Sequence, residues 1–335
     1  MRLRLATAGI IALVSLACAR KSDAPHRDVV KIADRGFLTN APIYIAEEEG
    51  YFADEGIKLE FAEPPRSSSQ IIPLLERGDL DVMATALTAG FYAALEQGAR
   101  SRIVADRGHA DATGCDYNGI MLRHGLLNGK SATANDLRGK RFSAGPGGIG
   151  AYVLDRYLAS VGLTTADVTM LRLGETVEAQ ALNAGSIDGL HGAEPHLSQL
   201  IAEGHDLIGP ARIYAPGLHY AVLLFGPTLT VKHRDLGERF MKAYLRGVKK
   251  FREGKTPRNI DIIARRAHLT PQVLEKVCLP TVNANGELNP ASLLDFQAWL
   301  VRSGFLKRAP GAEAGTDMTF ARKAAKELGI AQTPR

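Results

Sequence analysis

Apolar and polar residues alternate strictly in residues 57–61, Ile-Lys-Leu-Glu-Phe, which is the pattern of a strand with one buried face. Before this strand, apolar residues line one side of a helix that is predicted to begin near Pro42 and end at Gly50. A strand-like run, residues 31–39, precedes the helix. Together these segments predict a βαβ unit, and such a unit requires parallel strands.

The pattern continues into a second βαβ unit. The apolar positions within residues 71–75 predict a helix that ends near Gly78. Residues 80–84 then predict a third strand. In open parallel sheets, ligands collect at the carboxyl ends of the strands. Those ends fall at residues 37–40 and 85–90, which are therefore the first candidate binding segments.

The second half of the chain repeats this arrangement. Residues 185–190, GSIDGL, echo residues 78–83, GDLDVM, because each segment follows a helix, begins at a glycine and leads into a strand with an acidic residue near its start. The repetition predicts two similar α/β lobes. Beyond residue 234 the apolar spacing is helical throughout.

Length and composition fit two lobes and exclude some partners. The chain has 335 residues, 45% of them hydrophobic, which suits two domains with sizeable cores. The formal net charge is only +5, and no run of Lys and Arg is long enough to bind nucleic acid. We therefore expect no nucleic-acid partner.

The amino terminus has the features of an export signal. Arg2 and Arg4 precede an apolar stretch, residues 5–16, that is too short to span a bilayer comfortably. Small residues then lead to Cys18, as in a bacterial lipobox, although Ser15 departs from the commoner leucine. We predict a lipoprotein signal peptide in residues 1–17 and a tether in residues 18–29, with Cys18 lipidated. Plain cleavage to a soluble product is the alternative.

The remaining cysteines, Cys115 and Cys278, leave two possibilities open. Export would permit a disulfide, but buried free thiols fit the sequence equally well. Neither cysteine has a second cysteine or histidines at metal-ligand spacing, so no metal site is predicted. Ser143 and Ser198 have no recognisable His and Asp partners, so no catalytic triad is predicted either.

Several motifs in order resemble one protein family. The motifs are, in order, the opening segment with GYF and EGIKLEF, then LERGDLDV, DLRGKRFSA, VLDRYLASVGLTTADV, ALNAGSIDGLHGAEP and FMKAYLRGVKKF. Together they resemble the NMT1/THI5-like, or SsuA-like, substrate-binding proteins of ABC transporters. The resemblance spans residues 30–306. It implies the two-lobed α/β fold of type II periplasmic binding proteins, with mainly parallel sheets flanked by helices and joined by two hinge crossings. Lobe 1 would comprise residues 30–117 and 222–335, and lobe 2 residues 118–221.

The same resemblance implies a function. The chain would be a periplasmic, lipid-anchored monomer that captures a small sulfonate-, nitrate- or pyrimidine-like molecule and delivers it to a permease and its ATPase, without cofactor, metal or catalysis. One alternative is a THI5-like pyrimidine-biosynthesis enzyme, but the cysteine-rich iron motif of the similar fungal enzymes is missing here. The other is a ligand-sensing module, which would need an attached signalling domain.

The predicted binding residues lie at four strand ends. They are Leu38, Thr39, Asn40, Ala41, Thr85, Leu87, Thr88, Gly147, Gly148, Glu194 and His196. Glu194 is the polar residue we favour most, as an acceptor from a ligand amine, and its alternative role is to start a helix. The glycine-rich turn at residues 145–150 opens a helix and could hold an anion or only make the turn, while Thr88 could instead cap a helix.

Four further side chains are open to two interpretations. Tyr44 and Tyr92 could stack on a planar ligand, but aromatic residues on apolar helix faces more often belong to the core. Asp116 and Tyr117 lie near a crossing, where they could line the cleft or only shape a loop. Since no arginine falls at a predicted strand end, the sequence favours a neutral or heterocyclic ligand.

Overall fold

The computed structural model of the protein describes residues 28–63, 71–127 and 129–331. The strands are β1 (Asp28–Ala33), β2 (Ile57–Ala62), β3 (Val82–Thr85), β4 (Arg102–His109), β5 (Asn118–Leu122), β6 (Arg141–Ser143), β7 (Thr169–Leu171), β8 (Gly189–Ala193), β9 (Asp206–Pro210) and β10 (His219–Phe225). They form two five-stranded sheets, ordered β2-β1-β3-β10-β4 and β7-β6-β8-β5-β9. The predicted two-lobed α/β fold is confirmed.

Helices cover both sheets. They are α1 (Ala41–Glu48), α2 (Tyr51–Asp54), α3 (Ile71–Arg77), α4 (Ala89–Glu96), α5 (Ala134–Leu137), α6 (Ile149–Ser160), α7 (Glu175–Asn183), α8 (His196–Ala202), α9 (Ala211–Tyr214), α10 (Arg234–Phe251), α11 (Pro257–Arg266), α12 (Pro271–Lys276), α13 (Pro290–Arg302) and α14 (Thr319–Glu327). Short 3-10 turns at Leu38–Asn40 and Thr165–Asp167 and a π-helical turn at Thr228–Lys232 complete the described elements.

The two sheets are built alike. In the first sheet β1 pairs in parallel with β2 and β3, and β10 then pairs antiparallel with β3 and β4. In the second sheet β6 pairs in parallel with β7 and β8, and β5 pairs antiparallel with β8 and β9. The antiparallel strands flank two chain crossings, residues 110–117 and 211–218. Lobe 1 therefore carries the first sheet and lobe 2 the second.

The ends of two predicted segments differ from the strands observed. Asp28 and Val29, placed in the tether, begin β1, because their backbone pairs with β2. His219 to Ala221, placed in lobe 2, already pair with β4, since β10 is buried along its whole length. The predicted signal peptide and Cys18 lie outside the described residues. Among the helices that are described, none has the length and apolar character of a membrane span.

Close helix packing brings the carboxy-terminal helices onto lobe 1. Gly247 in α10 lies so close to α1 that a Cβ there would come within 2.2 Å of the carbonyl oxygen of Pro42. Phe240 of α10 packs against Phe52 and Phe225, with ring centroids 4.8 Å and 5.4 Å away. The glycine thus permits a backbone approach that any larger residue would prevent, and the aromatic rings fill the interior beside it.

The question left open for the cysteines is answered. Cys115, in the first crossing, and Cys278, after α12, form a disulfide with their Cα atoms 5.8 Å apart. The two residues are separated by 163 positions in the sequence, so the bond joins distant parts of the chain. It ties the first crossing to the carboxy-terminal part of lobe 1.

Candidate functional site

Two helix amino termini meet where the lobes face each other. In lobe 1, α4 begins after Thr88, and in lobe 2, α6 begins after Gly148. Thr88 and Gly148 form an antiparallel β-bridge, and the Ala89 N–H donates to the Gly147 carbonyl oxygen at 2.8 Å. Because helix amino termini carry partial positive charge, this edge of the cleft favours anionic groups.

The predicted residues at this meeting point are shaped by the contact itself. Gly147 has a φ of +67°, and a Cβ there would come within 2.9 Å of the Ala89 Cβ, so the position requires glycine. The Thr88 hydroxyl accepts a hydrogen bond from the Phe91 N–H at 3.3 Å and therefore caps α4. The lobes are thus in contact at Thr88, Gly147 and Gly148.

A buried arginine lies at the base of the first lobe's strand ends. Arg107, on β4, is 1% exposed, and its guanidinium donates to Thr39 Oγ1, Asn40 Oδ1 and, at 3.3 Å, the Val222 carbonyl oxygen. All three acceptors are neutral, and no carboxylate of the described residues forms an ion pair with Arg107. Burial lowers the pKa of Arg107 from its usual value, yet a guanidinium stays charged in proteins. Within the described part of the chain, this buried positive charge therefore has no directly bonded anionic partner.

Asn40 connects Arg107 to the nearest carboxylate indirectly. The Asn40 side-chain amide donates to Asp34, and the Tyr44 hydroxyl also donates to Asp34, at 2.7 Å. Burial, together with Asp34, raises the pKa of Tyr44, so this hydroxyl remains a donor. Tyr44 is fully buried, with Arg266 4.9 Å from its ring centroid, and so belongs to the core.

Tyr117, at the end of the first crossing, and Tyr220, on β10, form a stacked pair near Arg107. Tyr117 and Tyr220 have ring centroids 4.9 Å apart and planes within 5° of each other. Gly108, next to Arg107, allows this, since a Cβ there would come within 2.5 Å of the Tyr220 ring. Burial raises the pKa of both tyrosines, so both stay neutral. The pair provides an aromatic wall next to the buried guanidinium.

A histidine of lobe 2 lies beside the first turn of α6. A Cβ on Gly150 would come within 3.0 Å of His191, so a larger residue there would require His191 to shift. The His191 Nε2 atom is buried and has no hydrogen-bond partner among the described residues. Burial lowers the pKa of His191 to about 4, which makes the ring neutral near pH 7. An unused ring nitrogen therefore lies next to the helix amino terminus.

Glu194 is at the predicted strand end, but protein groups surround its carboxylate. The carboxylate accepts hydrogen bonds from the Ser198 N–H at 3.0 Å, the Ser198 hydroxyl at 2.6 Å and the Cys278 N–H at 3.0 Å. The first two bonds cap α8 within lobe 2. The third bond joins lobe 2 to lobe 1. A contact between Glu194 and a ligand amine remains a prediction.

The other predicted residues fall into two groups. Leu38, Ala41 and Leu87 are at most 1% exposed and contribute to the hydrophobic core. Thr85 is half-buried and its hydroxyl donates to the neighbouring Ala86 carbonyl oxygen, and His196 is exposed at the start of α8. Of the other aromatic candidates, Tyr92 is buried against Phe91 and Phe296 in the core.

Asp106, His109 and His219 form a second polar cluster on β4 and β10. Asp106 accepts from His109 Nδ1 and His219 Nδ1, each at 2.9 Å. His219 Nε2 in turn accepts from the Asn289 N–H at 2.7 Å. A metal on His219 Nδ1 would require a proton on Nε2, where it would face that N–H. The geometry therefore fits a hydrogen-bond network and does not fit a metal site.

Burial and charge compete in this cluster. Burial opposes ionisation of Asp106, but His219 and His109 outweigh it and hold the pKa of Asp106 below its usual range. Burial also disfavours the charged form of His109, but Asp106 outweighs it and raises the pKa of His109. His109 and His219 line a cavity of about 550 Å³ together with Asn289 and Arg322. This cavity is lined by residues different from those that meet at the interlobe cleft.

Family comparison agrees with this architecture. Residues 39–254 match the model of the family described as "NMT1/THI5 like". The match covers well over half of the chain, which therefore belongs to this family, as the resemblance predicted.

Solved structures share the fold at low sequence identity. A ligand-binding component of an ABC-type import system from Staphylococcus aureus, with zinc bound, has a TM-score of 0.73 and 16% identity, over 89% of this chain and 99% of that chain. The nitrate-binding protein NrtA from Synechocystis PCC 6803 has a TM-score of 0.71 and 14% identity, over 92% and 91%. The aliphatic sulphonate binding protein SsuA from Escherichia coli has a TM-score of 0.69 and 15% identity, over 88% and 99%. The fold is therefore that of periplasmic binding proteins.

Curated relatives carry the name of a biosynthetic enzyme. A 4-amino-5-hydroxymethyl-2-methylpyrimidine phosphate synthase from Uromyces fabae is 29% identical over 153 residues, which is 46% of this chain and 42% of that protein. The chain thus matches less than half the length of this relative.

Proposed function

We propose that this chain is the substrate-binding protein of an ABC importer and that it holds a small anion, of the sulfonate or nitrate class, between its two lobes. The observation that carries the proposal is Arg107, a buried guanidinium at the strand ends whose hydrogen-bond acceptors among the described residues are all neutral. A buried charge is normally paired, because removing it from water is costly. An anionic ligand would supply the missing partner.

Three neighbouring features suit the same ligand. The amino termini of α4 and α6 meet at Thr88 and Gly148, where their partial positive charges add. His191, neutral and with a free ring nitrogen, lies beside the first turn of α6. The stacked pair of Tyr117 and Tyr220 offers an aromatic surface for the organic part of a sulfonate. Arg107 thus replaces the sequence-based preference for a neutral ligand with a preference for an anion.

Binding would be coupled to closure of the cleft. A ligand that touches both lobes binds the closed form more tightly than the open form and shifts the population toward closure. It also stabilises the folded protein, by roughly 2.7 kcal/mol at about a hundred times the Kd. A closed, loaded form would be the one that a permease recognises.

The proposed cellular setting starts from the amino-terminal sequence. We propose export through residues 1–17, lipidation at Cys18 and a periplasmic location on the membrane. A permease and its ATPase would then receive the ligand from a monomeric binding protein. The structural neighbours support the periplasmic location and the transport partners, since one is named as part of an ABC-type import system and others as periplasmic binding proteins, while lipidation rests on the sequence alone.

The second candidate is an enzyme of pyrimidine synthesis, and it rests on the name of the curated relatives. The two candidates differ in what happens to the ligand. A binding protein returns its ligand chemically unchanged after long incubation, whereas a synthase returns a modified molecule or a modified side chain.

Calorimetric titration tests the proposal. Nitrate, taurine and 4-amino-5-hydroxymethyl-2-methylpyrimidine serve as probes for wild-type protein and for Arg107→Met. Arg102→Met is the matched control, because Arg102 lies on the same strand but donates to the carbonyl oxygens of Ala99 and Ser101. We expect one anion to bind wild type and Arg102→Met alike.

For Arg107→Met we expect the affinity for that anion to fall by about 10- to 100-fold, which corresponds to 1.5–3 kcal/mol for a hydrogen bond to a charged group. Arg107→Lys keeps the positive charge but lacks the planar guanidinium, so its affinity for the anion should lie between those of wild type and Arg107→Met. Equal affinity in Arg107→Met and wild type, or binding of the pyrimidine alone, would contradict the proposal.

A further inference from the structure

Cys278 occupies an unusual position, because it links three parts of the molecule. Its sulfur is bonded to Cys115 in the first crossing, residues 110–117. Its backbone N–H donates to the carboxylate of Glu194 in lobe 2 at 3.0 Å. The residue itself belongs to a segment of lobe 1, residues 277–282, that follows α12. One residue therefore joins lobe 1 to the crossing covalently and to lobe 2 by a hydrogen bond.

The segment around Cys278 is held firmly to lobe 1. Lys255 donates to the Val277 carbonyl oxygen at 2.7 Å, and Arg252 donates to that of Val282 at 2.6 Å. The His109 N–H donates to the Thr281 carbonyl oxygen at 3.0 Å. With its two ends fixed in this way, the segment gives the Cys278 N–H a defined position opposite Glu194.

We propose that Glu194, the Cys278 N–H and the Cys115–Cys278 disulfide form a redox-sensitive latch that holds the two lobes closed. Opening the cleft requires the first crossing to bend, and the disulfide fixes Cys115 in that crossing to lobe 1. Opening also separates Glu194 from the Cys278 N–H. That closure serves to retain a ligand rests on the proposed function. The latch itself is defined by the contacts of Glu194, Cys278 and Cys115.

The chemistry of release is thiol–disulfide exchange with a dithiol. Cys115 is exposed and Cys278 is half-buried, so a thiolate of the dithiol attacks the Cys115 sulfur. The Cys115–Cys278 bond breaks, and Cys278 leaves as a thiolate that takes up a proton. The second thiol of the dithiol then attacks the mixed disulfide and releases the Cys115 thiol. The protein gains two electrons and two protons, and the dithiol becomes a disulfide.

Release of the latch should move the population toward the open form. The Cys278 N–H donates to a carboxylate oxygen of Glu194, and losing one such hydrogen bond changes an equilibrium by about 3- to 10-fold. When only the closed form binds tightly, the apparent affinity falls with the closed fraction. We therefore expect the reduced protein and Glu194→Gln to bind the anion found by titration about 3- to 10-fold more weakly than the oxidised wild type.

The test needs no ligand. Small-angle scattering and hydrogen exchange at the Cys278 amide are measured on ligand-free oxidised protein, on protein reduced with dithiothreitol, and on Glu194→Gln and Cys115→Ser. Ser198→Ala is the matched control, because it removes the hydroxyl hydrogen bond to Glu194 within lobe 2 but leaves the bonds from the Ser198 N–H and the Cys278 N–H. Reoxidation of the reduced wild type shows whether any change is reversible in an unmutated chain.

We expect a larger radius of gyration and faster exchange at Cys278 in the reduced protein and in both latch variants, with Ser198→Ala like wild type. Reoxidation should restore both values. Unchanged scattering and unchanged exchange after reduction and in Glu194→Gln would overturn the latch. If no probe anion binds but the scattering changes as expected, the latch stands and the proposed function fails.

Discussion

Asp106 is fully buried, and its replacement by asparagine should destabilise the protein strongly. Its carboxylate accepts four hydrogen bonds: from His109 and His219 at 2.9 Å each, from the Gly108 N–H at 3.0 Å and from the Asn283 N–H at 2.8 Å. In Asp106→Asn, the new NH₂ group would face two of these donors. Losing two hydrogen bonds to a charged group, at about 1.5–3 kcal/mol each, predicts a loss of about 3–6 kcal/mol.

Urea unfolding at pH 6 measures this loss. Asp79→Asn is the control, because Asp79 is exposed and forms an ion pair with Arg77, which is also exposed, so the substitution should cost less than about 1 kcal/mol. If Asp106→Asn lowered the free energy of unfolding by less than about 1 kcal/mol, with an unchanged slope of that free energy against urea concentration, the reasoning that this network holds β4 and β10 together would be refuted.

The same network predicts how stability varies with pH. The lowered pKa of Asp106 contributes stability above its unfolded value, about 4, and this is lost as the pH falls further. The raised pKa of His109 contributes stability fully below its unfolded value, about 6.5, and this is lost as the pH rises through the folded value. The combined contribution to stability should therefore be greatest between about pH 4 and 6.5. In Asp106→Asn, stability should vary less with pH on both the acidic and the basic side of this range.

Two further predictions concern the scaffold. Replacing Cys115 and Cys278 by serine removes a link across 163 positions, which the chain-entropy model values at about 5 kcal/mol of folding stability. Urea unfolding should show a loss of at least about 2 kcal/mol in the free energy of unfolding. An unchanged unfolding midpoint would contradict this prediction. Gly247→Ala should cost about 1–3 kcal/mol, because its methyl group would meet the Pro42 carbonyl oxygen. Gly174→Ala, whose methyl group meets nothing within 4 Å, is the matched control, and equal midpoints for the two alanine variants would argue against this close packing.

The sequence predicted the fold well because local patterns determine it. The alternation in residues 57–61 became β2, and the repeated glycine–acid segments became the starts of β3 and β8. Asp81 and Asp188 even play the same part, since each accepts a hydrogen bond from a backbone N–H of a neighbouring strand, that of Lys31 in β1 and that of Arg141 in β6. Periodicity and repetition carry this information without any knowledge of distant contacts.

The candidate site was harder to predict because its chemistry depends on distant contacts. Arg107 lies inside a strand and far from Thr39 in sequence, so no spacing connects them. A charged residue within an otherwise buried strand was the only available signal. Glu194 was found at the correct strand end, but nothing local shows that its carboxylate faces Ser198 and Cys278. The disulfide is hidden for the same reason, since 163 positions separate its cysteines.

The central claim is that an anion lies against Arg107 between the lobes, and mass spectrometry of small molecules released from natively purified protein tests it most directly. The account predicts one small anion, close to one molecule per chain, in wild type and in Arg102→Met, and its loss from Arg107→Met. A neutral ligand, or the same anion retained in equal amount by Arg107→Met, would contradict it.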